Sequence, residues 1–276
     1  MSYKELLEKG KNLYRTGIGV LDDELPNGFP CNAFGVIRGP GGGGKSVILN
    51  EIAKCMMEAG KSVIYVCFED TPLSVLQNLC SLGWDYATML DKGLIRLVDC
   101  FSTQILHRTA PSEHTTLVSD PSEPDQIGEA IRAIIQESNR RKIGAIFMDS
   151  ITELFLQSQP FKAVNAVKAW RATFCKELSI PFWATYHTGL QQFSAYDDII
   201  TYISDVIVDT RHEPAFSKAG VLIKQFRVTK VKGAAHNPIW VTFDVGIKGI
   251  RNVGMDEIKQ IAKSITRFES PGPEGD

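Results

Sequence analysis

The stretch Gly39-Pro40-Gly41-Gly42-Gly43-Gly44-Lys45-Ser46 decides how the rest of the chain is read. It fills the phosphate-binding loop pattern G-x-x-x-x-G-K-[ST] without a mismatch. On one side, Ala33 to Arg38 (AFGVIR) reads as a buried strand running into the loop. On the other, Lys45 to Ala59 reads as a helix, with Val47, Ile48, Ile52 and Met56 at helical spacing and Gly60 as its stop. The glycines let successive N–H groups turn inward around a phosphate, where a Cβ would collide. The helix N-terminus adds partial positive charge. Lys45 has the length to reach the β- and γ-phosphates, and the Ser46 hydroxyl suits Mg²⁺. With Val47 after them, these residues form the expected nucleotide-binding set. The competing reading, a glycine-rich turn with a chance Lys-Ser, does not account for a complete pattern set between a strand and a helix. The stretch therefore predicts a nucleoside triphosphate binder.

At 276 residues the chain suffices for one large α/β domain or two small ones, and its 43% apolar content supplies a substantial core. A net charge of −2 and a pI of about 6.2 argue against generic electrostatic binding to nucleic acid, leaving room only for a local basic patch. Cys31, Cys55, Cys67, Cys80, Cys100 and Cys175 are scattered, with no C-x-x-C pair. They read as small buried hydrophobes of a reducing compartment. No apolar run approaches the ~18–20 residues of a bilayer span. The N-terminus mixes charges and lacks a signal-peptide core, so a cytoplasmic location is expected.

A helix is expected over 1–16, with Tyr3, Leu6, Leu7 and Tyr14 as its buried positions. Ser62 to Phe68 (SVIYVCF) and Ile143 to Met148 (IGAIFM) are continuous apolar runs, as strands covered on both faces should be. The first ends at Glu69-Asp70-Thr71-Pro72, where an open α/β sheet places its ligands. Glu69 there suits a general base toward a water attacking the γ-phosphate. Asp70 and Thr71 are more simply read as caps of the following helix, with Pro72 at its first position. The second run ends at Asp149, an acidic strand end that completes a Mg²⁺ site opposite Ser46.

Residues 101–126 read as a long polar loop or insertion broken by Pro111, Pro121 and Pro124. A helix follows with Ile127, Ile131, Ile134 and Ile135 on one face. Another runs from about Ala163 to Leu178, where Trp170 reads as core. Pro181 to Tyr186 is a further strand ending in His187-Thr188, which suits a γ-phosphate sensor and an ordinary strand end equally. Gly189 to Asp198 reads as a mobile polar stretch. Asp205 to Asp209 returns to the sheet. Val221 to Val231 and Pro238 to Val245 alternate as an antiparallel pair. A C-terminal helix is placed within 251–268, apolar at Met255, Ile258, Ile261, Ala262, Ile265 and Phe268, before a Pro/Gly-rich tail at 269–276 expected to be disordered. The sum is one α/β domain over 17–250: a mostly parallel sheet flanked by helices, with an antiparallel C-terminal extension.

The order of these pieces resembles the KaiC-like ATPases of the RecA superfamily of P-loop NTPases. CFEDTPLSVLQNLCSLGWD (Cys67 to Asp85) is similar to the family's acidic pair, Thr-Pro, helix and Gly-Trp-Asp. FMDSITELF (Phe147 to Phe155) looks like its Asp-Ser strand end, and RVTKVKGAAHNP (Arg227 to Pro238) like its late K-x-R-x-x-x-H element. The likeness covers roughly residues 15–250. It implies a ring, typically a hexamer, with ATP and Mg²⁺ held between subunits. It makes Glu69 the glutamate that orients the attacking water, with Asp70 beside it, and puts Ser81 near the nucleotide base. It lets Lys230, Lys232 and His236 reach a neighbour's nucleotide; without the resemblance the two lysines read as exposed strand residues. The sequence departs from the pattern at Lys232, where the family has arginine, so a point charge replaces a bidentate fork. The family's phosphoacceptor pair falls near Thr201 and Tyr202, and tyrosine is not the usual type there.

Three functions are therefore in view, with a kinase acting on itself or on a partner as a minor fourth. The leading one is an ATPase that couples turnover in a ring to regulation or partner binding, with the helix at 255–268 free to dock on a protein partner. The others are a DNA-binding recombinase paralogue and a nucleotide-switched scaffold with little hydrolysis.

Overall fold

The computed structural model describes residues 13–260, apart from 82, 84, 106–112, 139–142, 192, 193, 219, 247, 248 and 255. A two-stranded sheet pairs β1 (Leu13–Tyr14) with β2 (Phe29–Pro30). The main sheet contains β3 (Phe34–Gly39), β4 (Ser62–Cys67), β5 (Ile95–Asp99), β6 (Thr115–Leu117), β7 (Ile143–Asp149), β8 (Phe182–His187) and β9 (Val206–His212), all parallel. It continues through β10 (Lys224–Val231), β11 (Val241–Gly246) and β12 (Gly249–Asn252), each antiparallel to its neighbour. The ten strands lie in the order β12-β11-β10-β9-β3-β8-β7-β4-β5-β6. The helices that matter for the site are α1 (Lys45–Glu58), α2 (Pro72–Ser81), α3 (Pro124–Glu137), α4 (Ile151–Gln157), α5 (Pro160–Trp170) and α6 (Ser194–Ile203).

The central strands are largely apolar and buried along nearly their whole length because helices cover both faces. In β7, Ile146 and Met148 join the core under α3 and α5, while Ala145 and Phe147 join the core under α1. In β8, Phe182, Ala184 and Tyr186 turn to the first side and Trp183 to the second. Trp170 is 3% exposed and stacks on Phe182 at 6.1 Å, so its core reading holds. The isoleucine face of α3 is buried as its spacing predicts. Opposite it, Gly35 leaves room for Trp183: a Cβ there would come within 2.5 Å of the indole.

Several expectations are corrected. Leu13–Tyr14 is a strand, so the helix expected over 1–16 does not include them; residues 1–12 lie outside the described residues. The expected loop at 101–126 carries β6, whose Thr115 pairs with Leu97. Its three half-buried residues are too few to show a strand period. The helix expected from Ala163 begins at Pro160 and continues from Arg171 to Glu177 with π-type hydrogen bonding. The polar stretch at 189–198 contains the start of α6. At the C-terminal end, residues 256–260 are helical; 261–268 and the tail at 269–276 lie outside the described residues. Among the described residues no helix is long and apolar enough to cross a membrane.

Candidate nucleotide site at the strand ends

β3 ends at Gly39 and α1 begins at Lys45, so the phosphate loop spans a strand end and a helix N-terminus. Gly42 and Gly44 hold φ of 70° and 90°, a region that a side-chain-bearing residue rarely adopts. Gly39 is pressed against Thr210 of β9 so closely that a Cβ would overlap it. Lys45 is 4% exposed. Its Nζ donates to Pro40 O at 2.8 Å and lies 3.3 Å from His187 Nδ1. Burial lowers its pKa, opposed by the charges of Glu69 and Asp149.

Parallel register gathers the other groups at the same edge. Gly39 pairs with His187, Met148 with Ala184, and Cys67 with Asp149. Beyond β4 the chain is held by Asp149 O, which accepts from Phe68 N at 2.9 Å and Glu69 N at 3.2 Å. The Thr185 hydroxyl donates to Asp149 Oδ1. Burial, with the nearby Glu69 charge, raises the Asp149 carboxyl, while the Thr185 and Ser46 hydroxyls oppose that rise.

Ser46, Asn50, Glu69, Asp70 and Asp149 line one cavity of about 190 Å³. Among the described residues no three His, Cys, Asp or Glu side chains converge as a closed metal cage. Of the residues lining the cavity, Ser46 and Asp149, one hydroxyl and one carboxylate, are a sparse oxygen pair that fits Mg²⁺ shared with substrate phosphates and water.

Glu69 stands a third exposed, with Oε1 3.0 Å from His187 Nε2. The hydrogen-bond pattern assigns a neutral ring: Nδ1 accepts from the Lys45 ammonium and Nε2–H donates to Glu69. Burial would raise the Glu69 carboxyl, but the His187 contact and the Lys45 charge outweigh it and hold it below its ordinary 4.5. The Ser150 hydroxyl, close enough to add to this, is buried without a hydrogen-bond partner of full geometry. Thr71 caps α2 through Ser74 N at 3.1 Å, as its residue type suggests. Asp70 accepts from Thr71 N at 2.9 Å and also lines the cavity.

The remaining expected residues fall elsewhere. Ser81 is the last residue of α2. Lys230 pairs with Ile207, which pairs with Val36, three residues before Gly39. That sets it about 10 Å back along the strands from its own phosphate loop. Its Nζ donates to Thr201 O at 2.6 Å. Lys232 lies further back still, its N–H donating to Asp205 O at 2.8 Å. His236 follows in an irregular segment. These three are not brought to the chain's own Lys45.

Sequence reasoning left His187 undecided and gave no part to Thr185 or His212, whose Nε2 lies 3.3 Å from Gly41 O. The signal for His187 was position, at the end of a strand beside the phosphate loop; Thr185, two residues earlier inside β8, carried no such signal.

A family model described as "ATPase: KaiC" matches residues 14–257. The chain belongs to the KaiC ATPase family. This membership supports an ATP-binding NTPase. A UPF0273 protein of Pyrococcus furiosus is 25% identical over 244 residues, covering 86% of this chain and 92% of that one. A UPF0273 protein of Thermotoga maritima is 25% identical over 244 residues, with 86% and 93% covered. The circadian clock oscillator protein KaiC of Parathermosynechococcus lividus is 27% identical over 156 residues, which is 55% of this chain and 26% of that one. The crystal structure of a KaiC-like protein from Pyrococcus horikoshii superposes with a TM-score of 0.70 at 19% identity, covering 88% of this chain and 99% of that one. The KaiC-type architecture, a RecA-like parallel sheet with antiparallel C-terminal strands, is thus common to both.

Proposed function

We propose that this KaiC-family protein is a Mg²⁺-dependent ATPase whose nucleotide lies between subunits of a ring, typically a hexamer, and whose turnover serves regulation or partner binding. The observation that carries the reading is the placement of Glu69 and Lys45 on opposite nitrogens of one imidazole, at the mouth of the phosphate loop. A carboxylate held ionised there is suited to accept the proton of a water attacking the γ-phosphorus. Lys45 turns from Pro40 O to the terminal phosphate oxygens, where charge grows in the transition state. Gly41 to Gly44 present N–H groups to the phosphates, with Ser46 and Val47 opening the helix behind them. Ser46 and Asp149 would hold Mg²⁺, which neutralises phosphate charge when bound.

Asp70 supports the acidic end of β4. Ser81 is assigned to the base, and with it the choice of ATP. Lys230, Lys232 and His236, too far back to serve their own loop, are assigned to the neighbouring subunit's site. The six free cysteines favour a reducing, cytoplasmic setting.

The test is Glu69→Gln. It should retain ATP binding and lose hydrolysis by about 100-fold or more, the scale of a general base. Turnover near that of the unsubstituted protein would contradict Glu69 as the base.

A further inference from the structure

β9 ends beside the phosphate loop with Thr210 and His212 on one face, since residues two apart in a strand share a face. Thr210 seats the loop by packing. A Cβ on Gly39 would overlap it, and one on Gly43 would come within 2.8 Å of its hydroxyl. Gly44 is held in the same way, by Phe243 at 2.9 Å. Gly41 and Gly42 are not. Among the described residues a Cβ on Gly41 would meet nothing within 4 Å, and one on Gly42 only the His212 ring, 3.7 Å from Nε2. The peptide joining these two is therefore the part of the loop that packing leaves loose, and neither glycine restricts its rotation.

His212 Nε2 lies 3.3 Å from Gly41 O. A carbonyl only accepts, so this nitrogen carries the proton and donates. The other nitrogen, Nδ1, is buried without a hydrogen-bond partner among the described residues. Pairing of His212 with Lys224 of β10 fixes the backbone from which the ring reaches. In a trans peptide the C=O and N–H point in opposite directions, so drawing Gly41 O to His212 turns the Gly42 N–H away from it. β9 and β8 flank β3 on opposite sides, so that N–H faces the side of Lys45 and His187. It meets no backbone acceptor among the described residues, while the Gly43 N–H donates to Pro40 O at 3.2 Å. A flipped peptide would instead aim the Gly41 oxygen at a phosphate, like charge against like.

We propose that His212 is a positioning residue of the phosphate loop: its Nε2–H holds the Gly41 carbonyl outward and so presents the Gly42 N–H to the β-phosphate of a bound nucleotide. The proposal rests on the nucleotide-site reading above and adds a residue to it. Loops of this pattern cradle the β-phosphate with backbone N–H groups, and that phosphate is common to ATP and ADP. The contact is made alike before and during hydrolysis. His212 therefore sets the affinity for both nucleotides and leaves the chemical step alone.

The experiment compares the unsubstituted protein with His212→Phe, which keeps a ring without a donor, and His212→Gln, whose amide nitrogen donates from nearly the same place. Calorimetric titration with Mg²⁺–ADP, and with ATP in EDTA to keep it intact, gives two dissociation constants. Phosphate release over a range of Mg²⁺–ATP gives KM and kcat. His212→Phe should raise both dissociation constants together by about tenfold, and KM with them, with kcat within about twofold. His212→Gln should bring both constants back to within about threefold. Unchanged constants in His212→Phe would overturn the proposal. A loss confined to ATP or to kcat would overturn it by putting the ring at the γ-phosphate. Binding by His212→Gln as weak as by His212→Phe would overturn it by making ring packing the cause. Thermal unfolding checks each fold, and His212→Leu replaces a phenylalanine variant that does not fold, with the same rise expected. An unsubstituted protein that binds neither nucleotide would overturn the nucleotide-site reading and this proposal with it. One that binds both but releases no phosphate would overturn the ATPase reading alone, and the two dissociation constants would still decide the part of His212.

Discussion

His187 Nε2 lies 3.0 Å from Glu69 Oε1, and this contact ties the end of β8 to the end of β4 across the intervening β7. The other ring nitrogen faces Lys45 at 3.3 Å, so one imidazole spans the proposed base and the phosphate-loop cation. The neutral ring offers one acceptor and one donor, and a glutamine amide offers the same pair. A hydrogen bond to a charged group is worth about 1.5–3 kcal/mol, or roughly 10- to 100-fold in rate. His187→Phe should therefore lower kcat by roughly that factor with KM little changed. His187→Gln should recover most of the loss. Equal activity in both variants would show that the contact does not position Glu69.

Asp149 and Ser46 give the expected metal only one carboxylate and one hydroxyl. Asp149→Asn should therefore reduce the gain in ATP affinity that Mg²⁺ confers over EDTA by about tenfold or more. Titration of a fluorescent ATP analogue with and without metal measures it. An unchanged metal dependence would place the ion elsewhere.

Asp205 anchors the opposite end of the sheet. Its carboxylate is 2% exposed and accepts from Arg171 Nη2 at 2.6 Å, Lys176 Nζ at 2.7 Å and Phe34 N at 3.0 Å. Burial would raise its pKa, but these donors hold it below the ordinary 3.8. A carboxyl depressed in the folded state stabilises the fold above its unfolded pKa, and that stability is lost as pH falls through the folded value. The unfolding free energy should therefore decline as pH drops below about 4. Asp205→Asn breaks a buried ion pair and should cost about 3–5 kcal/mol at pH 7. The cost should shrink toward pH 2. Denaturant unfolding at several pH values reads both, and a cost independent of pH would contradict the charge-based account.

The parts of the fold legible in the sequence were those written in local pattern. The phosphate loop, the apolar runs of β4 and β7 and the isoleucine face of α3 each announce themselves within a few residues. Asp149 was legible because it closes a buried run. β6 and α4 were not: β6 is three half-buried residues, and α4 is seven residues directly after a strand. His187 was undecided for another reason. Its partners come from residues 142 and 118 positions away, and only the strand order that sets β8 between β3 and β7 brings them together. The backward placement of Lys230 and Lys232 likewise depends on β10 running antiparallel to β9.

The most direct test of the inter-subunit ATPase is molar mass by light scattering with and without Mg²⁺–ATP, with phosphate release followed on the same samples. The account predicts a species several times the 30.6 kDa chain that forms with nucleotide and releases phosphate. A 30.6 kDa monomer that releases none in either condition would contradict it.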